Sequence, residues 1–225
     1  MIFKGPYPDV EIPEVALTPF VLHRAKELAG KAALIDGPTG RAVTFGQLAD
    51  SIEIVAYNLS QFGFGKGDVL GILSPNCPEY GIAFHAVATL GGIVTTINPL
   101  YTRNEIAHQL KDAGARILIC TPMCLERARE AAEEVGIEEI FVFGDAEGAK
   151  PFASLLLDNG RATQVEINPR EDLVALPYSS GTTGLPKGVM LTHYNLVANL
   201  CQMEGLDYFY ETDTLICVLP LFHIY

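Results

Sequence analysis

Val69-Leu-Gly-Ile-Leu-Ser-Pro-Asn-Cys-Pro-Glu-Tyr-Gly-Ile-Ala-Phe-His-Ala-Val-Ala-Thr-Leu-Gly-Gly-Ile-Val-Thr-Thr-Ile97 reads as strand, helix and strand in one run. Val69 to Leu73 is a short apolar run of the kind buried on both faces of a sheet. Glu79 to Leu90 has helix length, and Ile93 to Ile97 is rich in β-branched residues. A crossover helix between two such strands is a βαβ unit, which predicts a parallel sheet.

The same alternation extends upstream and downstream. Phe45, Leu48, Ile52, Val55, Leu59 and Phe62 fall three or four residues apart, the stripe of a helix that buries one face. Thr44 and Gln47 have capping-box spacing at its start, Val43 can staple onto Leu48, and Gly63 and Gly65 stop it. Thr102 and Glu105, with Tyr101 and Ile106 as staple, open another helix that runs to about Ala113. Strand Ile117–Cys120, helix Cys124–Val135 and strand Glu139–Val142 continue the series. The predicted class is α/β, with parallel-rich sheets and crossover helices in layers.

Periodicity weakens between Gly144 and Arg170, where Gly148, Pro151, Gly160 and Pro169 surround one apolar patch, Phe152 to Leu157. A subdomain connection is expected there, dividing the chain into residues 1–168 and 169–225. Beyond it, Leu173–Tyr178 and Val189–Leu191 read as strands, Tyr194 to about Cys201 as a helix capped by Thr192, and Thr214–Leu219 as strand-like. The ending Pro220-Leu-Phe-His-Ile-Tyr225 is apolar where a terminus is commonly polar, so the chain is expected to stop inside a domain.

Composition narrows the partners. The 225 residues carry 15 Lys and Arg against 27 Asp and Glu, a formal charge of -12 that repels nucleic acid. A small anion is still accommodated, because backbone N–H groups and one well-placed lysine dominate a local pocket whatever the global charge. The five cysteines, Cys77, Cys120, Cys124, Cys201 and Cys217, lack C-x-x-C spacing and read as buried reduced thiols. With no signal-peptide pattern and no apolar run long enough to span a bilayer, a soluble intracellular protein is expected, cytoplasmic or peroxisomal.

Chemistry concentrates in Tyr178-Ser-Ser-Gly-Thr-Thr-Gly-Leu-Pro-Lys-Gly188, between the last two apolar strands. Gly181, Gly184 and Gly188 permit positive φ and close approach of N–H groups to an anion. Ser179, Ser180, Thr182 and Thr183 add hydroxyl donors, Lys187 a point charge, and Pro186 stiffens its approach. The loop is not G-x-x-x-x-G-K-[ST], since position 186 is Pro. A functionless Ser/Gly-rich hairpin tip shares much of this composition. Lys187 and Pro186 beside the hydroxyl run tell against it, and the residues by themselves reach only as far as a phosphate site. His223, next to aromatic and apolar residues, has the reading of a hydrogen-bonded core histidine. His23, His85, His108 and His193 read as structural, and Glu130, Glu133 and Glu134 as a solvated helix face.

Leu176-Pro-Tyr-Ser-Ser-Gly-Thr-Thr-Gly-Leu-Pro-Lys-Gly-Val-Met-Leu-Thr-His193 resembles the AMP-binding signature of the adenylate-forming superfamily, which includes acyl-CoA synthetases, 4-coumarate:CoA ligases, beetle luciferases and peptide-synthetase adenylation domains. Four further segments are similar to 4-coumarate:CoA ligases: Thr44–Leu48, Leu73–Glu79, Ile97–Thr102 and Leu219–Tyr225. The resemblance implies that Ser179, Ser180, Gly181, Thr182, Thr183 and Lys187 contact the triphosphate of ATP, that Gly184 and Gly188 shape the loop, and that Lys187 and Thr183 act in catalysis. It implies that His223 and Tyr225 border the nucleotide and acyl pocket.

The reaction so implied begins with attack of a carboxylate on the α-phosphorus of ATP and loss of pyrophosphate; the thiol of coenzyme A then displaces AMP. Because a carboxylate is already ionised at neutral pH, the first step calls for positioning and charge stabilisation, which a loop of N–H, O–H and ammonium donors suits. Mg2+ is expected with the phosphates, with no metal ligand in these residues. The family's acidic metal ligand, ribose-binding Asp, adenine-contacting segment and small C-terminal domain would lie beyond Tyr225, making this chain an incomplete N-terminal domain without full turnover. The expected activity is that of a 4-coumarate:CoA ligase-like or fatty acyl-CoA synthetase-like enzyme. A truncated nucleotide-binding or interaction module is the alternative, and a luciferase-like monooxygenase a distant one.

Overall fold

The computed structural model describes residue 7 and residues 9–163, 165–179, 186–206 and 209–223. Helix α1 (Leu17–Val21) precedes a run of turns over residues 22–30, where His23 has its Nδ1 2.7 Å from the Phe20 carbonyl oxygen. Strands β1 (Ala32–Ile35) and β2 (Ala42–Thr44) pair antiparallel and lead into α2 (Phe45–Gln61). The predicted capping box is formed: Thr44 Oγ1 accepts from Gln47 N–H and the Gln47 side chain accepts from Thr44 N–H. Val43 and Leu48 are buried in one cluster.

The deciding segment folds as its pattern predicts, with β3 (Val69–Leu73), α3 (Pro78–Thr89) and β4 (Ile93–Ile97). The series continues through α4 (Arg103–Ala113), β5 (Ala115–Cys120), α5 (Leu125–Val135) and β6 (Glu139–Val142). The Thr102–Glu105 box caps α4, while Gly114 (φ 67) and Gly136 (φ 78) end α4 and α5 in the left-handed conformation that glycine takes without strain. β3 pairs in parallel with β4 and β5, and β5 with β6.

Side-chain alternation distributes the strands between two helix layers. Leu70, Ile72, Ile117 and Ile119 pack with Ile52, Val55 and Leu59 of α2 and Ala83 and Val87 of α3. Leu73, Leu118 and Cys120 point the other way, into a cluster with Ile106 and Leu110 of α4 and Leu125 and Ala128 of α5.

Four sequence expectations shift. The apolar patch between Gly144 and Arg170 belongs to this core: after edge strand β7 (Lys150–Pro151), residues Phe152–Leu156 form a 3-10 turn with Phe152 and Leu155 buried. The expected strand Leu173–Tyr178 is two strands, β8 (Leu173–Ala175) and β9 (Tyr178–Ser179), in different sheets. Pro177, which has no N–H, marks the exchange. Val189–Leu191 is likewise replaced by β10 (Lys187–Gly188) and β11 (Leu191–Thr192). Thr214–Leu219 forms no strand; its side chains are exposed and it has no ladder partner among the described residues.

The large sheet has the order β11-β8-β4-β3-β5-β6-β7, with β8 parallel to β4 and β11 antiparallel to β8. Residues on both sides of position 168 therefore share one sheet. Helix α6 (His193–Glu204) packs on it through Val197 and Cys201, beside Leu17 and Ala88. Cys217 is exposed rather than buried, because it lies on that unpaired terminal segment.

Candidate functional site

Strand β4 carries two consecutive threonines, Thr95 and Thr96, just before its last residue, and they organise the site. Thr95 is fully buried and Thr96 is 7% exposed; a hydroxyl so placed needs a partner. Alternation sends them to opposite faces. Thr95 Oγ1 donates to the Leu176 carbonyl oxygen (2.9 Å) and accepts from Gln109 Nε2 (2.8 Å), while Thr96 Oγ1 donates to the Phe222 carbonyl oxygen (2.9 Å). Leu176 N–H in turn donates to the Val94 carbonyl oxygen (2.8 Å). One strand end thus holds both the entry to the Ser/Thr/Gly loop and the segment before His223. In open α/β sheets, ligands bind outside the carboxyl ends of the strands.

The loop stem is an antiparallel hairpin in which Ser179 pairs with Lys187 and Tyr178 with Gly188. Directly opposed residues project to the same face, so the first hydroxyl and the lysine of the motif share one side of the stem. Lys187 is exposed and makes no ion pair among the described residues. The other face carries Tyr178, whose Oη donates to Asp112 Oδ2 (2.6 Å). Its phenol is pushed well above the ordinary value, chiefly by burial and then by the bond to Asp112 and that residue's charge.

Gly188 does not adopt the positive φ its residue type permits; its constraint is the close approach of a ring. A Cβ there would stand 3.3 Å from the Tyr178 ring, closer than such contacts comfortably allow. Between α4 and the stem lies a cavity of about 140 Å³ lined by Tyr101, Asn104, His108, Gln109, Tyr178 and Pro186, so His108, read from sequence as structural, faces the hairpin base.

Ser180, Gly181, Thr182, Thr183, Gly184 and Tyr225 lie outside the described residues. His223 is exposed; its N–H donates to the Pro220 carbonyl oxygen (3.0 Å) and its ring lies 6.2 Å from that of Phe222. Asn76, at the carboxyl end of β3, fastens the same segment. Its Nδ2 donates to the carbonyl oxygens of Cys217 (3.0 Å) and Leu219 (2.8 Å), and its Oδ1 accepts from Leu221 N–H (2.8 Å).

His193 is structural as expected, and fully buried. Its Nδ1 accepts from Leu17 N–H (3.1 Å), and burial pushes its pKa down to about 4, the neighbouring Asp172 raising it and Lys66 lowering it by smaller amounts. Asp112, Tyr178, Thr95, Thr96 and Asn76 were not singled out from the sequence. The one available signal was a pair of threonines in an otherwise apolar strand. Among the described residues no three His, Cys, Asp or Glu side chains converge as a metal site would require, and no helix is long and apolar enough to cross a membrane.

The model of the AMP-binding enzyme family matches residues 21–225. Over its whole length the chain is 40% identical to 4-coumarate--CoA ligase 3 of Oryza sativa subsp. japonica and 40% identical to a 4-coumarate--CoA ligase of Pinus taeda, covering 41% and 43% of those proteins. The crystal structure of a long-chain-fatty-acid-CoA ligase from Archaeoglobus fulgidus superposes with a TM-score of 0.88 at 29% identity, over 98% of this chain and 45% of that one. The chain spans well under half the length of these relatives, and it belongs to the AMP-binding enzyme family.

Proposed function

We propose that this chain is the front portion of a ligase that activates a carboxylic acid with ATP as an acyl-adenylate and passes the acyl group to coenzyme A, most closely in the manner of 4-coumarate:CoA ligases. Residues 1–168 would then be its first subdomain and 169–225 the start of the next, with β8 and β11 contributed to the first one's sheet. The observation that carries the reading is the hairpin pairing of Ser179 with Lys187 at the carboxyl end of the parallel sheet. A hydroxyl and an exposed ammonium on one face, the ammonium in no ion pair among the described residues, fit a polyphosphate anion.

In this reading Ser179 and Lys187 hold phosphate oxygens, and Ser180, Gly181, Thr182, Thr183 and Gly184 complete the cradle. Lys187 and Thr183 stabilise charge developing at phosphorus, while His223 and Tyr225 line the nucleotide and acyl side. Mg2+ would supply charge neutralisation on the phosphates when bound; no residue of this chain is assigned to it. The acid, coenzyme A and ATP are the small-molecule partners.

The test is ATP–pyrophosphate exchange by the full-length chain across a panel of aromatic and aliphatic acids. Lys187→Ala and Thr183→Ala are each expected to lower exchange by about a hundredfold, the usual loss on removing a donor aimed at transition-state charge. Exchange that responds to no acid would remove the adenylation reading, and unaltered kinetics in both variants would remove the loop assignment.

A further inference from the structure

Among the described residues the hairpin that bears Ser179 and Lys187 pairs through two residues on each strand, and a two-stranded hairpin is marginal by itself in water. What fixes it to the body of the protein is therefore informative. On one side, Leu176 is tied to Val94 and Thr95 of β4, next to the Pro177 carbonyl oxygen that accepts from Val189 N–H across the stem (2.8 Å). On the other, the Tyr178 ring covers Gly188 and its Oη bonds to Asp112 on α4. Asp112 lies three residues after Gln109, one neighbouring position on the same helix surface, and Gln109 Nε2 donates to Thr95 Oγ1 (2.8 Å) and the Thr96 carbonyl oxygen (3.0 Å). One surface of α4 thus grips both the strand end and the stem.

We propose that Asp112 and Tyr178 are positioning residues: the carboxylate holds the phenol, the phenol ring seats Gly188, and the pair fixes the angle at which Ser179 and Lys187 are presented to the anion. The inference rests on the proposed phosphate role of the hairpin, but the anchoring itself is independent of any activity. A bond between a neutral donor and a carboxylate is among the stronger kinds, and opening it frees the stem rather than the sheet. Glycine at 188 follows from the same arrangement, since a larger residue would push the ring off its seat.

Two measurements on the full-length chain separate anchoring from function. By hydrogen–deuterium exchange, Tyr178→Phe and Asp112→Ala should each speed exchange of the Val189 amide by about tenfold, consistent with loss of one hydrogen bond to a charged group. The amides of Leu70 and Ile72 should not change, and Asp112→Asn, which keeps an acceptor oxygen, should restore most of the protection. In pyrophosphate exchange the same two variants should raise KM for ATP by about fivefold and leave KM for the acid unchanged. An unaltered Val189 amide, or acceleration spread equally into β3, would overturn the anchoring. A loosened stem with unaltered KM for ATP would overturn the positioning role while leaving the anchoring intact. Absence of wild-type exchange with every acid would instead count against the proposed function, with the amide measurement still deciding the anchor.

Discussion

At the scale of single residues, two histidines show how burial sets chemistry. His193 and His85 are both held neutral, with pKa values pushed down to about 4 by desolvation. In the unfolded chain an imidazole titrates near 6.5. Stability is therefore fully present above about pH 6.5 and is lost as the pH falls from there toward 4, because only the unfolded form takes up the proton, at up to about 1.4 kcal/mol per pH unit for each group. We predict a denaturation midpoint that is flat between pH 7 and 8 and declines steadily below 6.5. His193→Asn, which can keep an acceptor for Leu17 N–H while removing the titration, should shallow that decline. A midpoint independent of pH down to 5 would contradict the burial argument. His193 adjoins the motif in sequence, yet its side chain points away into the α1–α6 contact, so proximity along the chain misrepresents its role.

At the scale of elements, the helix starts are specified locally. Thr44 with Gln47, Thr102 with Glu105 and Thr192 with Asn195 each form a reciprocal box. The first two have the Gln or Glu expected at the third helical position and were legible in sequence; in the third, Asn195 substitutes for it, and only Thr192 was. Thr192 ends β11, four residues beyond the hairpin, so its cap starts α6 soon after the chain leaves the site. Thr192→Ala should cost about 1 kcal/mol, read as a shift in urea midpoint with unchanged m-value. If only α6 amides lose protection, the cap acts on that helix alone. The strands around the motif were less legible. An apolar run from Leu173 to Tyr178 has the pattern of one strand, but a proline and a change of partner divide it, and partner choice is not written in local periodicity.

At the scale of the whole molecule, the carboxyl ends of β3 and β4 are a junction for distant stretches of chain. Thr95 and Thr96 hold the hairpin entry and the terminal segment on opposite faces, and Asn76 adds a further clasp to residues 217–221. Among the described residues that segment is exposed and has no ladder partner, and these bonds tie it to the sheet. Asn76→Ala should therefore raise amide exchange at Leu221 by about tenfold and open the segment to limited proteolysis, while β3 and β5 remain protected. Proteolysis at an unchanged rate would show that the segment is held by something other than Asn76.

The alternation of short β-branched runs with capped amphipathic helices, the composition of the loop and the signature around it were determined by sequence alone, because each depends on neighbours within a few residues. How the strands around the motif pair, what crowds Gly188, which carboxylate holds Tyr178 and what the two threonines grip were decided only by the tertiary structure. The Tyr178 and threonine bonds join residues 66 to 126 positions apart, and no local pattern encodes a partner that far along the chain.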